Sequence, residues 1–307
     1  MKIVEPFVKK VEFNTPCKKI EYAGRICYKS QDKITDTSYE KFVASIANRG
    51  HTSVLEAESI TLRISRSVYI YGNGDKLFNN DFFFITRITT DDSFYVTANI
   101  RAFKNLLESE NVVSNFMYKD IYALISKKYP VLFGTNDFVS SPTIEIVENP
   151  TMKALTRVMD ENEAKKHVTF TFHIRTDRAT SHQIVRHRLS SFSQESQRYC
   201  NFSIDKFDNE VKFILPRDVV NMEEEMEEVK GIKEALTASE KAYFSLLEQG
   251  LKPETARCVL PNATATEIIM TSNLVQWDRF FNLRCDSHAQ IDIREIACEI
   301  RKQIYEG

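Results

Sequence analysis

Glycine is scarce. The 307 residues include eight, roughly a third of the usual ~7% share, and no G-x-G-x-x-G or G-x-x-x-x-G-K-[ST] run can be assembled from them. Nucleotide cradles built on a glycine loop are therefore excluded, and any phosphate must be held by side chains. Cysteine offers no framework either. Cys17, Cys27, Cys200, Cys258, Cys285 and Cys298 form no C-x-x-C pair and no zinc-ligand spacing, so they are expected as small core residues of a reduced, intracellular protein. No apolar run approaches the ~18–20 residues that cross a bilayer, and the opening MKIVEPFVKKVEF lacks a signal-peptide apolar region. An excess of one charge is also missing: 41 Lys and Arg against 43 Asp and Glu leave a net charge of −2, which argues against coating nucleic acid through bulk charge. The expectation is a soluble, cytoplasmic protein with no nucleic-acid or membrane partner. No internal repeat and no low-complexity linker stands out.

What is present is a globular composition, 42% hydrophobic and 27% charged, with length for one large domain or two small ones. Residues 16–28 and 38–49 read as helices, the second stopping at Gly50. Ile60, Leu62 and Ile64 alternate with polar residues, as do Val168, Phe170, Phe172 and Ile174, the period of half-buried strands. Between them lie strand patterns at 82–88 and 93–98, helix patterns at 99–108 and 115–128, and a proline-containing loop at 129–150. A helix is expected at 176–187 with Thr176 or Asp177 as N-cap. Others are expected at 221–249, opening on Glu223, Glu224 and Glu225, at 273–284 and at 288–305, with a strand at 264–272. Without a regular βαβ rhythm the fold class is α+β.

The most unusual segment is Arg186-His187-Arg188-Leu189-Ser190-Ser191-Phe192-Ser193-Gln194-Glu195-Ser196-Gln197-Arg198-Tyr199. Gln183 and Arg186, three apart, share a helix face. Arg forks bind phosphate or a planar imide in bidentate fashion, and Ser and Gln add neutral hydrogen bonds. In a chain of net charge −2 this concentration reads as an anion site; the plain alternative is a helix end whose cations complement the dipole.

Three blocks carry a resemblance to one family. Arg186-His187-Arg188, seven residues and Ser196, followed by Arg198-Tyr199, resembles the R-H-R-x7-S signature of flavin-dependent thymidylate synthases. Arg257-Cys258-Val259-Leu260-Pro261, Asn273 and Asn282-Leu283-Arg284-Cys285-Asp286-Ser287-His288-Ala289-Gln290 resemble its C-terminal region, and Gly50-His51-Thr52-Ser53-Val54-Leu55-Glu56 its N-terminal block. The resemblance implies methylation of dUMP to dTMP, with methylenetetrahydrofolate as carbon donor and FAD reduced by NADPH. It implies that Arg186, His187, Arg188, Gln194, Asn273, Arg279 and Ser53 contact FAD, Ser53 from a neighbouring subunit of a homotetramer. It places Gln183, Arg186, Gln194, Glu195, Ser196, Gln197, Arg198 and Arg257 on dUMP, Arg284 on the uracil edge as the catalytic residue, and His51 on the folate side. The implied fold has mixed helices and a central antiparallel-rich sheet, with 1–57 and 167–307 as the catalytic domain and 58–166 as an inserted α/β segment of unknown role.

This chain departs from the family pattern at Ser53, where Thr is common, at Ala57, where His is common, and at Arg279, where Asn or His is common. Rival functions are a flavin- and nucleotide-binding protein without synthase activity, and an RNA-binding module stacking bases on Phe192 and Tyr199. His167 and His173, on the polar side of one strand, read as sheet residues. Ser196 reads as a hydrogen-bonding residue, Glu223 to Glu228 as a solvated helix face and Trp277 as core or interface.

Overall fold

A computed structural model describes residues 1–109, 115–135, 140–203 and 209–306. β10 (Ala265–Asn273) is buried on both faces for most of its length because it is central. It pairs antiparallel with β7 (Thr169–Asp177) on one side and β8 (Ser191–Gln194) on the other, and β7 pairs with β2 (Phe7–Lys10). The order is β2-β7-β10-β8. The helix Leu274–Arg284 buries Trp277, Phe280 and Phe281, at i, i+3 and i+4, against Phe172 of β7. The helix Ile291–Tyr305 adds Ile293, Ile296, Ala297 and Ile300 to the same core. Trp277 is thus core.

A second four-stranded antiparallel sheet has the order β4-β5-β3-β6, from β3 (Ser59–Ser65), β4 (Phe84–Ile88), β5 (Ser93–Asn99) and β6 (Ile144–Val147). Its core takes in the helices Pro16–Cys27 and Ser38–Asn48, so the N-terminal block packs on residues 58–147 rather than apart from them. A smaller core gathers around Phe213 and Tyr243, where β1 (Lys2–Ile3) pairs parallel with β9 (Lys212–Phe213) beside the helix Glu227–Glu248.

The sequence reading finds no repeat, but the two sheets are versions of one unit. In each, a strand ends on an asparagine that caps the next helix. Asn99 Oδ1 accepts from the Ala102 N–H at 2.9 Å, and Asn273 Oδ1 from the Gln276 N–H at 3.1 Å. Asn99 stands opposite Ser59 in the ladder, and Asn273 opposite Thr169. Two residues inward, a cross-strand threonine pair is bonded in both: Thr61 to Thr97 at 2.7 Å, and Thr171 to Thr271 at 2.9 Å. Four residues past each cap sits a fully buried aromatic, Phe103 or Trp277. The flanking strand continues the match, since Phe84 lies opposite Thr97 as Ser191 lies opposite Thr271. Ladder positions and caps recur while most side chains differ, so no periodicity survives in the sequence.

His167 ties two strands of the second sheet together. It does not share a strand with His173 but ends the helix Glu161–His167, fully buried, and bonds Thr97 through Nδ1 at 2.7 Å and Thr86 through Nε2 at 2.8 Å. Thr86 in turn donates to the Glu163 carboxylate at 2.5 Å. Its hydroxyl proton being committed there, Thr86 accepts from His167 Nε2–H, and His167 Nδ1 accepts from Thr97.

Other boundaries move for local reasons. β7 runs on to Asp177, whose carboxylate caps the helix Arg178–Ile184. That helix ends before Arg186, so the Arg-His-Arg triplet lies on the turn leading into β8. The long helix opens at Glu227, leaving Glu223 to Glu225 ahead of it, and the last begins at Ile291. Residues 129–150 are not all loop: a helical turn at Pro130–Phe133 and β6 fall there, and residues 136–139 lie outside the described part. All six cysteines are free, but Cys258 and Cys298 are exposed rather than core.

Candidate functional site

The end of the helix Arg178–Ile184 meets the end of the helix Leu274–Arg284. There Arg284 Nε donates to His187 Nε2 at 3.2 Å, Nη1 to Gln183 Oε1 at 3.3 Å and Nη2 to the Gln183 carbonyl at 3.4 Å. Arg284 does not pair with Asp286, which accepts instead from the His288 backbone and ring. Gln183 passes its own amide proton to Gln290 at 2.6 Å. Burial, and after it the Arg284 cation, pull His187 down to about 4, so the imidazole is neutral at pH 7. With Nε2 accepting from a guanidinium, the ring proton sits on Nδ1. The His187 ring also packs edge-on against Phe280, centroids 4.8 Å apart. A permanent cation is thus held by three neutral acceptors, and among the described residues no carboxylate lies within ion-pair distance of it.

Next to this, a cleft of about 110 Å³ opens between the two sheets, with Arg188, Ser190 and Asn273 among its lining. Arg186 and Arg188 are exposed, and among the described residues neither guanidinium meets a partner. Asn273 is buried; beyond its capping bond, its Nδ2 donates to the Lys166 carbonyl at 3.3 Å, which fixes the amide's orientation. A larger cleft, about 950 Å³, lies by β2 and β6 and is lined by none of the motif residues.

The 194–198 segment splits in two. Gln194 faces the sheet end, its Nε2 on Ser181 Oγ at 2.9 Å and Thr266 Oγ1 at 3.3 Å. Glu195 turns inward and is buried, 3.3 Å from Lys29 Nζ; burial raises its pKa, an effect Lys29 partly offsets. Lys29 also touches Glu267 at 2.9 Å, and Glu267 accepts from His173 and Arg175, each at 3.0 Å. Burial works against Glu267 ionisation, but the bonds from His173 and Lys29 outweigh it and hold the carboxyl well below the usual range. Ser196 bonds through its backbone N–H to the Cys27 carbonyl at 3.1 Å, while Arg198 is exposed, over the Tyr199 ring and 3.7 Å from Glu254. Gln197 is half-buried in the same turn.

Arg178, half-buried, donates to Thr266 Oγ1 at 3.3 Å; burial lowers its pKa, Glu195 opposes this, and Arg257 adds to it. Arg257 itself donates to the Glu254 carbonyl, at 3.1 Å. Among the described residues, neither guanidinium has a carboxylate within ion-pair distance, and they repel one another. That arrangement suits a bound anion.

The N-terminal block reaches the same region. The 3-10 helix Thr52–Ala57 follows exposed His51, whose Nδ1 bonds Tyr28 OH at 2.9 Å, and the Tyr28 ring lies 5.7 Å from that of Tyr199. Ser53 is exposed, while Glu56, three residues on, lines the Arg188 cleft. Arg279 is exposed and reaches only Gln276, at 3.4 Å. Sequence reasoning misses Lys29, Glu267 and Arg178, and meets Glu56 only as the end of the family-like N-terminal block. Of the three missed residues, Arg178 alone carries a signal, a lone cation at the first position of a helix. Among the described residues no group of three or more His, Cys, Asp or Glu converges as a metal site requires, and no helix is long and apolar enough to cross a membrane.

Two curated relatives are named flavin-dependent thymidylate synthase. The protein from Geobacter sulfurreducens is 41% identical over 140 residues, 45% of this chain and 57% of its own. The protein from Pyrococcus furiosus is 36% identical over 162 residues, 52% of this chain and 64% of its own. The match therefore spans under two thirds of either relative. Among solved structures, a UMP/dUMP methylase, PolB from Streptomyces cacaoi bound with 5-Br UMP, aligns with a TM-score of 0.41 at 24% identity, covering 50% of this chain and 75% of that one. A family model matches residues 11–71 and 137–306, so parts of the 58–166 segment fall inside the match and residues 72–136 outside it. That model describes the thymidylate synthase complementing protein, and with well over half of its residues matched, the chain belongs to this family.

Proposed function

We propose that the protein methylates dUMP to dTMP, taking the carbon from 5,10-methylenetetrahydrofolate and reducing equivalents from NADPH through FAD. The names of its curated relatives support this, and one observation carries it: Arg284, a cation held in place by Gln183 and neutral His187 with no carboxylate partner among the described residues. Uracil C5 is a weak nucleophile. A fixed guanidinium beside the ring favours its electron-rich, N3-deprotonated form and so raises the nucleophilicity of C5 toward the methylene carbon, an effect worth ~3–4 kcal/mol for a preorganised donor in a dry site. The C5 proton then leaves, the bond from the methylene carbon to the folate nitrogen breaks to release tetrahydrofolate, and a hydride added to the resulting exocyclic methylene completes the methyl group. Bound flavin would supply that hydride, and the protein supplies position and field.

The residues fit such a cofactor. Unpartnered Arg186 and Arg188 offer charge to a diphosphate without a glycine loop, and buried Asn273 offers an oriented amide. His187 adds an Nδ1–H donor, Gln194 and Ser53 lie on adjoining elements, and Arg279 keeps a free face. Arg178 and Arg257 receive the nucleotide phosphate with Ser196, Gln197 and Arg198, while His51 stands on the folate side.

The test is thymidylate formation from dUMP with NADPH and methylenetetrahydrofolate. Arg284→Ala is expected to lose turnover by roughly two orders of magnitude, with Tm and FAD binding retained; normal turnover in the folded variant ends the assignment. Arg284→Lys keeps the charge but not the fork, and should remain strongly impaired. In the same reading the enzyme is a homotetramer with shared sites. Light scattering that finds an active monomer would exclude that assembly.

A further inference from the structure

The cleft that holds Arg188 and Asn273 lies at the junction of the two repeated units, and its lining is paired. Thr97 and Asn99 enter from the first unit where Thr271 and Asn273 enter from the second. The pairing continues along the flanking strands. Phe84 corresponds to Ser191 by register, so the residues two and three positions earlier, Phe82 and Asp81, correspond to Leu189 and Arg188. All four line the cleft. Phe82 is 61% exposed and Leu189 52%, both high for large apolar side chains. Charge does not follow the pairing: the first unit carries a carboxylate where the second carries a guanidinium.

We propose that the first unit is a non-cationic copy of the site-bearing unit, and that it forms the second wall of one ligand slot. A planar heteroaromatic ring of a flavin nucleotide stacks on Phe82 and against Leu189, and its anionic groups lie toward Arg188 and away from Asp81. This assigns a role to the stretch outside the family match, which contains Asp81 and Phe82. Exposed apolar side chains from two units give a ring two faces to cover, while opposed charges allow one orientation and one ligand per chain. The proposal rests on the flavin reading above.

The experiment is equilibrium titration of the purified full chain with FAD, followed by flavin fluorescence quenching and absorbance. Wild type is expected to bind one FAD per chain. Phe82→Ala should weaken binding roughly ten- to a hundred-fold, the range for losing one stacked ring, and should relieve quenching. Phe82→Tyr should restore both. Asp81→Asn, which removes a surface carboxylate, should bind FAD several-fold more tightly, a gain no loss of structure would produce. Repeating the titration with FMN and with ADP identifies the ring. Loss with FMN but not ADP places the isoalloxazine on Phe82; loss with ADP but not FMN places the adenine there. If wild type binds FAD and both Phe82→Ala and Asp81→Asn match it, the second wall is refuted and the flavin reading stands. If wild type binds no FAD, both fail.

Discussion

At the scale of single residues, charge in this molecule is managed by burial as much as by pairing. Lys29 is the common cation of two buried carboxylates, Glu195 and Glu267. Glu267 has His173 and Arg175 as well, but among the described residues Glu195 has no other cation within ion-pair distance. Removing Lys29 should therefore strand Glu195. Lys29→Met is expected to lose ~3–5 kcal/mol in urea unfolding at pH 7, as breaking a buried pair does. Glu195 already titrates high, so the variant should recover stability as pH falls and that carboxyl takes up its proton. Glu195→Gln added to Lys29→Met should restore most of the loss, and failure to do so would dissociate the pair. None of this is legible in the sequence, because Lys29 and Glu195 are 166 residues apart and neither spacing nor composition joins them. Arg284, by contrast, is legible because its neighbours sit in dense polar runs at two helix ends, where chemistry and position coincide.

Among elements, β10 and its following helix do two jobs through one residue. Asn273 Oδ1 caps the helix while its Nδ2 donates to the Lys166 carbonyl and fixes the amide over the cleft, whereas among the described residues the Asn99 side chain makes only the capping bond. Asn99→Ala and Asn273→Ala should each cost ~1 kcal/mol of stability, measured by denaturant melts, but only Asn273→Ala should also weaken FAD strongly. Equal FAD affinities would show that Asn273 is a cap alone. Strand and helix centres are legible where apolar period is strong, as in β3, β7 and the two C-terminal helices. Ends are less so. Asp177 is one of the two N-caps the sequence offers and does cap the helix that opens at Arg178, but that helix stops at Ile184, short of the expected 187, and β6, four residues in a proline-containing stretch, has too short a pattern to distinguish from loop.

Taken whole, the molecule has two related sheets, and one buried imidazole ties β4 to β5 in the second. Burial pulls His167 down to about 4, below the ~6.5 of an unfolded chain. The unfolded state therefore binds the extra proton between those values. Stability is full above about pH 6.5 and falls as pH drops toward 4, by up to ~3 kcal/mol for a buried histidine shifted this far. Half-buried His187 shifts in the same direction. Thermal melts from pH 7.5 to 4.5 should show this slope, and His167→Gln should flatten it; an unchanged slope would locate the acid sensitivity elsewhere. The repeat itself escapes sequence reading because what recurs is ladder position, the threonine pair and the capping asparagine, a handful of residues in units whose cores use different side chains.

The row of bonds through His167 has one further consequence. Thr86 gives its proton to Glu163, His167 gives to Thr86, Thr97 gives to His167, and Thr61 gives to Thr97. Every member is committed in the same sense, so the seam carries a standing polarity ending on a carboxylate. A second proton on His167 would leave Nδ1 facing the Thr97 proton and force that hydroxyl, and then Thr61, to turn about. Acid therefore reverses the near half of the row and leaves the far half as it was, like a queue turned round at a single place.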